Sequence, residues 1–147
     1  MSVKNKTIVW FRQDLRIHDN PALLSAADAG DILPVYILDD VNAAEWAMGS
    51  ASRVWLHESL KKLNESLNGK LLLLCGDAET LIADLVEASN ATAVHWNRCY
   101  EPWRIQRDRK IKAALTEKGI KVESTNGSLL WEPWSITKKD GTPYKVY

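Results

Sequence analysis

The sequence predicts an α/β fold in which five parallel strands, in the order 3-2-1-4-5, form a doubly wound sheet covered by helices on both faces. Three observations carry that expectation. Short apolar runs alternate with stretches whose leucines, isoleucines and valines recur at helical spacing. Glycine, or an Asn-Pro pair, punctuates most changes of period. A chain of 147 residues suits one domain with a substantial core. Alternating strands and helices imply right-handed crossovers, hence a parallel sheet buried on both sides.

The first strand is Thr7 to Phe11, a β-branched and aromatic run. Asn20 is suited to an N-cap and Pro21 to a first helical position, so a short helix opens there and Gly30 stops it near Ala29. The second strand runs from about Leu33 to Leu38, with Pro34 confined to its start. Leu56, Leu60, Leu63 and Leu67 mark one face of the next helix, which Gly69 ends. That face is expected to be buried on the sheet. "LLLLC", Leu71 to Cys75, is the third strand, and Leu81, Ile82, Leu85 and Val86 are the stripe of the helix after it. The fourth strand is Ala93 to Trp96. Pro102 opens a helix with the stripe Ile111, Ala114 and Leu115, Gly119 closes it, and a fifth strand covers about Ile120 to Glu123.

Composition excludes some function classes. Lysine plus arginine equals aspartate plus glutamate, 19 each, so nothing drives strong non-specific DNA binding by phosphate neutralisation. Cys75 and Cys99 have neither metal-ligand spacing nor a disulfide framework. "MSVKNKT" has no apolar signal core and no apolar run reaches the roughly 18 residues of a membrane span, so the chain reads as cytosolic, without a membrane partner. Seven tryptophans stand beside one phenylalanine. Trp131, Trp134, Tyr144 and Tyr147 fall in the aperiodic end "WEPWSITKKDGTPYKVY". Such a segment either folds back on the domain or is a linker, 131–147, whose aromatic rings await a partner; the linker is the favoured reading.

In a 3-2-1-4-5 sheet, ligands bind beyond the carboxyl ends of the strands, where the winding reverses between strands one and four. The loops "RQDLR" and "NRCYEP" follow those two strands, so their charges are expected to line one crevice. Each has a plainer explanation. Arg12 and Asp14 suit a local ion pair on a wet loop, Asp19 and Asn20 suit caps, and Glu101 suits the N-cap before Pro102. His18 and His95 lack partners at metal-ligand spacing, Cys99 lacks the neighbours of a nucleophile, and Tyr36 and Trp96 suit the core. Arg104 and Asp108 head the helical stripe and point at a polar pocket or at each other. GxGxxG, GxxxxGK[ST] and GxSxG are absent, and no base–nucleophile pair is legible. Residue chemistry alone reaches a Rossmann-like ligand-binding domain.

"VWFRQDLRIHDNPAL" resembles the N-terminal signature of the DNA photolyase and cryptochrome family. "SRVWLHESLKKL", "WNRCYEP", Arg107-Asp108, "LLWEP" and "GTPYKVY" follow in the family's order, so the resemblance spans the whole chain. It implies that residues 1–130 are the α/β antenna domain and 131–147 the start of an interdomain linker. A C-terminal helical domain holding FAD and binding damaged DNA lies outside this chain. The parent enzyme would be a deoxyribodipyrimidine photo-lyase, in which excited reduced FAD donates an electron that splits a cyclobutane pyrimidine dimer and then returns. The isolated domain would be inactive, because its task is to hold a light-harvesting antenna, either methenyltetrahydrofolate or an 8-hydroxy-deazaflavin. The resemblance matches Ile37, Leu38, Asp39, Met48 and Arg53 to antenna binding, and the switch-point loops with the helix after them add Arg12, Asn97, Glu101 and Arg104 as candidates. Trp103 and Arg104 stand where the folate-binding bacterial branch has an Asn-Glu pair, so its usual folate mode is not implied. A cryptochrome photoreceptor and a freestanding nucleotide- or flavin-binding module are the alternatives.

Overall fold

A computed structural model describes residues 5–142 and residue 144. Its elements run β1 (Lys6–Phe11), α1 (Pro21–Ala29), β2 (Asp31–Leu38), α2 (Asp40–Ala43), a 3-10 turn (Ala44–Trp46), α3 (Ser50–Ser66), β3 (Leu72–Cys75), α4 (Ala78–Ser89), β4 (Ala93–Asn97), α5 (Pro102–Glu117) and β5 (Lys121–Thr125). The strands form one sheet in the order β3-β2-β1-β4-β5, and all four pairings are parallel. The expected architecture is therefore present, with strand ends differing by one or two residues from the sequence-based bounds.

Two apolar layers clamp the sheet. Ile8, Trp10, Val35, Ile37, Val94 and Trp96 face α4 and α5, where Ile82, Val86, Ile111 and Leu115 complete the core. Val9, Phe11 and Tyr36 face α1 and α3 with Ala26 and Leu63. Trp10 and Trp96 meet edge to face, ring centroids 5.8 Å apart. Asn20 caps α1 as expected, its side chain accepting from the Leu23 N–H, and Pro21 opens the helix. Gly30 has φ +146, and a Cβ there would sit 2.4 Å from the Asn5 carbonyl oxygen, so the turn into β2 requires glycine.

Four expectations need correction. Pro34 sits in the middle of β2, tolerated because β3 pairs only from Val35 onward and leaves that side without a strand. Along α3 only Leu63 is fully buried; Leu56, Leu60 and Leu67 are half-buried against the same cluster. The register is right, but the helix covers an edge strand whose burial alternates, with Leu73 exposed. Ala114 is exposed, and the inward stripe of α5 is Arg107, Ile111 and Leu115. Finally, α2 and the 3-10 turn interpose a short wall between β2 and α3, where the sequence pattern predicts no element.

Candidate ligand crevice at the carboxyl end of the sheet

The seam between β1 and β4, where the winding reverses, is closed by side chains. Asp14 accepts from the Arg12 backbone N–H at 2.8 Å and from the amides of Asn20 and Asn97. Asn97 also donates to the Asn20 carbonyl oxygen at 2.8 Å, and its own oxygen accepts from the Thr125 hydroxyl at 2.7 Å. Gly127 presses on this side chain, where a Cβ would lie 2.5 Å from the Asn97 carboxamide carbon. Arg12 and Asp14 do not form the local ion pair offered as their plainer explanation. The Arg12 guanidinium instead donates to Asp108 and to the Asn97 carbonyl, and all of these groups except Asp108 and Thr125 are buried. With its donors and acceptors spent inside this network, Asn97 does not line the crevice that the sequence assigned it to.

The open space lies one strand over. A crevice of about 370 Å³ sits beyond the ends of β1 and β2, between α3 and the first turns of α5. That volume suits a small planar ligand. Tyr36, Ile37 and Leu38 line it from β2, Ala43, Trp46 and Met48 from the interposed wall, and Trp55 and Leu56 from α3. Trp103, Arg104 and Arg107 reach it from α5, and Trp10 and Arg12 from β1. Trp46 and Trp55 are 71% and 77% exposed although they line a concavity, an unusual posture for indole rings in a folded chain. Ala44, which turns the chain toward Trp46, has φ +48 and ψ −117, a conformation natural to glycine that costs on the order of 1–3 kcal/mol.

Of the predicted site residues, Arg12, Ile37, Leu38, Asp39, Met48 and Arg104 do line the crevice. Arg53 and Glu101 do not. Arg53 braces the wall from behind, donating to the Met48 carbonyl at 2.8 Å and to Asp40 at 2.7 Å. Glu101 occupies the N-cap position of α5 without a side-chain cap, and accepts from Gln13 at 2.7 Å. Burial alone would raise its pKa, but its own backbone N–H, Arg104 and Gln13 together hold it below the usual glutamate value.

Sequence reasoning did not place Arg107, Tyr36 or three of the four crevice tryptophans, Trp46, Trp55 and Trp103, at the site. Arg107 is buried and donates to Asp39 at 3.0 Å and to Asp108 at 2.9 Å. Asp39 in turn accepts from Asn42, whose amide also reaches Asp77 at 2.7 Å, so the crevice wall is tied to α5 and to the start of α4. The signal was present at the head of the α5 stripe, where a charged residue falls on a helical face that is otherwise apolar. Tyr36, expected in the core, is buried yet faces the crevice. Burial pushes its hydroxyl above the usual tyrosine pKa, while Arg104 pulls the other way.

Among the described residues no cluster of histidine, cysteine or carboxylate side chains could hold a metal ion, and no helix is long and apolar enough to cross a membrane. The nine-residue connection from β1 to α1 contains no glycine and is packed with its own side chains, so a dinucleotide pyrophosphate has no glycine cradle there.

A five-stranded doubly wound parallel sheet with an aromatic crevice at the carboxyl ends of its strands is a Rossmann-like architecture. The DNA photolyase model matches residues 7–147, and the chain belongs to the DNA photolyase family. It is 43% identical to deoxyribodipyrimidine photo-lyase of Agrobacterium fabrum over 100% of the chain and 31% of that protein. It is equally 43% identical to Cryptochrome-2 of Arabidopsis thaliana, over 100% of the chain and 25% of that protein. The chain thus spans a quarter to a third of these relatives. The crystal structure of a bacterial class III photolyase from Agrobacterium tumefaciens matches with a TM-score of 0.84 at 39% identity, covering 100% of this chain and 32% of that one. An archaeal photolyase from Sulfolobus tokodaii, solved with two FAD molecules, matches with a TM-score of 0.72 at 27% identity, over 92% of this chain and 31% of that one.

Proposed function

We propose that this chain is the light-harvesting domain of a DNA photolyase and that its crevice holds the antenna chromophore. The observation that carries the reading is the crevice itself: four tryptophans and three arginines around a space of about 370 Å³. Its donor set fits a planar conjugated chromophore. Ile37, Leu38 and Met48 offer apolar contact, and the exposed Trp46 and Trp55 rings are free to lie along a ligand face. Arg107 and Arg53 hold α2 and the 3-10 turn in place. When bound, a methenyltetrahydrofolate or 8-hydroxy-deazaflavin would absorb light and pass the excitation to reduced FAD.

The whole protein, in this reading, is a deoxyribodipyrimidine photo-lyase of the cytoplasm that repairs pyrimidine dimers. Its FAD and its damaged-DNA site belong to a helical domain outside this chain, reached through the linker 131–147. Within the described part of that linker, Leu130, Trp131 and Trp134 are exposed next to it and along it, while Glu132 is anchored by Arg98 and Tyr100. A cryptochrome photoreceptor is the second reading, favoured by the equal identity to Cryptochrome-2.

The test is an action spectrum of dimer repair by the full-length protein with its native chromophores. Repair should show an antenna band beside the flavin band, and Trp55→Ala should shrink the first while sparing the second. An unchanged action spectrum in that variant would remove the antenna from this crevice. Intact photochemistry without dimer repair would favour the photoreceptor.

A further inference from the structure

The wall between β2 and α3 is held unevenly along its length. Its first half, α2, is anchored. Asp39 caps it by accepting from the Asn42 N–H at 3.0 Å, the Asn42 amide reaches Asp77 at 2.7 Å, and Ala43 is buried. The second half, Ala44 to Gly49, has little beneath it. Ala44, Glu45, Trp46, Ala47 and Gly49 are exposed, and Met48 is half-buried. Its backbone bonds are short-range, from the Ala44 N–H to the Asp40 carbonyl and from the Ala47 N–H to the Ala44 carbonyl at 3.1 Å. A segment with so few buried apolar contacts is where a fold opens locally.

The ends of this half can act as joints. Ala44, at φ +48 and ψ −117, holds a conformation that suits glycine and strains a residue with a Cβ. At the other end, among the described residues, nothing lies within 4 Å of the place a Cβ on Gly49 would take, so no neighbour packs against the backbone there. Arg53 ties the two halves together. Its Nε donates to the Met48 carbonyl at 2.8 Å and its Nη2 to Asp40 at 2.7 Å. The Arg53 and Asp40 side chains are 39% and 36% exposed, so the tie is weak and screened by salt.

Trp46 and Met48, which line the crevice, both ride on this half. We propose that residues 44–49 are a gate to the crevice, jointed at Ala44 and Gly49, latched shut by Arg53 and biased toward opening by the strain that Ala44 holds in the closed position. α2, pinned through Asn42, stays behind when the gate moves. The inference rests on the chromophore reading only for what passes the gate, a planar small molecule. The motion itself needs no ligand.

Amide hydrogen exchange of the full-length protein, without added ligand and resolved to single residues by fragmentation mass spectrometry, reads the gate directly. After correction for intrinsic rates, the Ala47 amide should exchange at least about tenfold faster than the Asn42 amide. Arg53→Met, which keeps the aliphatic stem and removes both latch bonds, should speed Ala47 a further three- to tenfold or so, with β1 and β4 unchanged. Raising salt from about 0.05 to 0.5 M should reproduce part of that gain in the unmodified protein and little of it in the variant. Ala44→Gly should slow Ala47 by roughly two- to tenfold, the reverse of what glycine does in an unstrained loop. Equal protection at Asn42 and Ala47, no response to Arg53→Met, or faster exchange in Ala44→Gly overturns the gate. A full-length protein that exchanges as expected yet fails to bind either 5,10-methenyltetrahydrofolate or 8-hydroxy-5-deazariboflavin supports the gate and overturns the chromophore reading alone.

Discussion

Two places at the same end of the sheet differ sharply. Between β1 and β4, Asp14, Asn20, Asn97 and Thr125 bond to one another and leave a space of only about 40 Å³. Beyond β1 and β2, aromatic rings stand apart around an open crevice of about 370 Å³. Both are built from loops that read as charged, so charge in a switch-point loop does not by itself mark a ligand site. What separates them is space. A buried polar group whose partners lie within the chain stabilises the fold and fills the space a ligand would need.

The largest effect should come from breaking the closed side. Asp14→Ala leaves the Arg12 backbone N–H and the Asn20 and Asn97 amides short of an acceptor in a buried setting. A stability loss of about 3–5 kcal/mol in urea unfolding is expected. A loss below about 1 kcal/mol would mean that the network is not what closes the seam.

An intermediate effect tests whether the core below that seam accepts charge. His95 lies two residues before Asn97 on β4, on the same face of the strand, and is buried. Burial pushes its pKa below 6.5, partly offset by Glu123 at 3.9 Å. The unfolded chain therefore binds a proton where the folded chain does not, so stability falls as pH drops below about 6.5 and levels off beneath the lowered folded pKa. Glu123, held low mainly by its Ser25 hydrogen bond, gives up its contribution only below 4.5. His95→Gln should flatten the slope between pH 6.5 and 5 in urea midpoints. A slope that survives the substitution assigns the effect to another group.

The smallest stability change belongs to the open side. Trp55→Ala removes a ring that is 77% exposed, so the unfolding midpoint should move by no more than about 0.5 kcal/mol. Ligand binding in the crevice should nonetheless fall. If stability drops by several kcal/mol, Trp55 packs as core and the contrast between the two sides fails.

Much of this was legible in the residues. Thr7 to Phe11 could only be a covered strand, Asn20-Pro21 only a helix start, and the leucines of α3 only one face of a helix, because period and capping are local chemistry. Arg12 follows β1 in a loop that the sheet order places at this end, whereas Ile37, Leu38, Asp39 and Met48 were matched to the site through the family resemblance. Local sequence therefore determined the elements, their order and the end of the sheet at which the crevice opens.

Tertiary structure decided which polar groups were spent. Asn97 and Asp14 are 83 residues apart, Arg107 and Asp39 are 68 apart, and no local signal announces that either pair will meet. The same holds for Trp46, Trp55 and Trp103, which share a cavity only because α2 and the 3-10 turn bring α3 within reach of α5. Periodicity reports which face of an element is apolar. Whether a charge on that face is neutralised, and where space is left over, depends on pairings between distant segments that exist only once the sheet has closed.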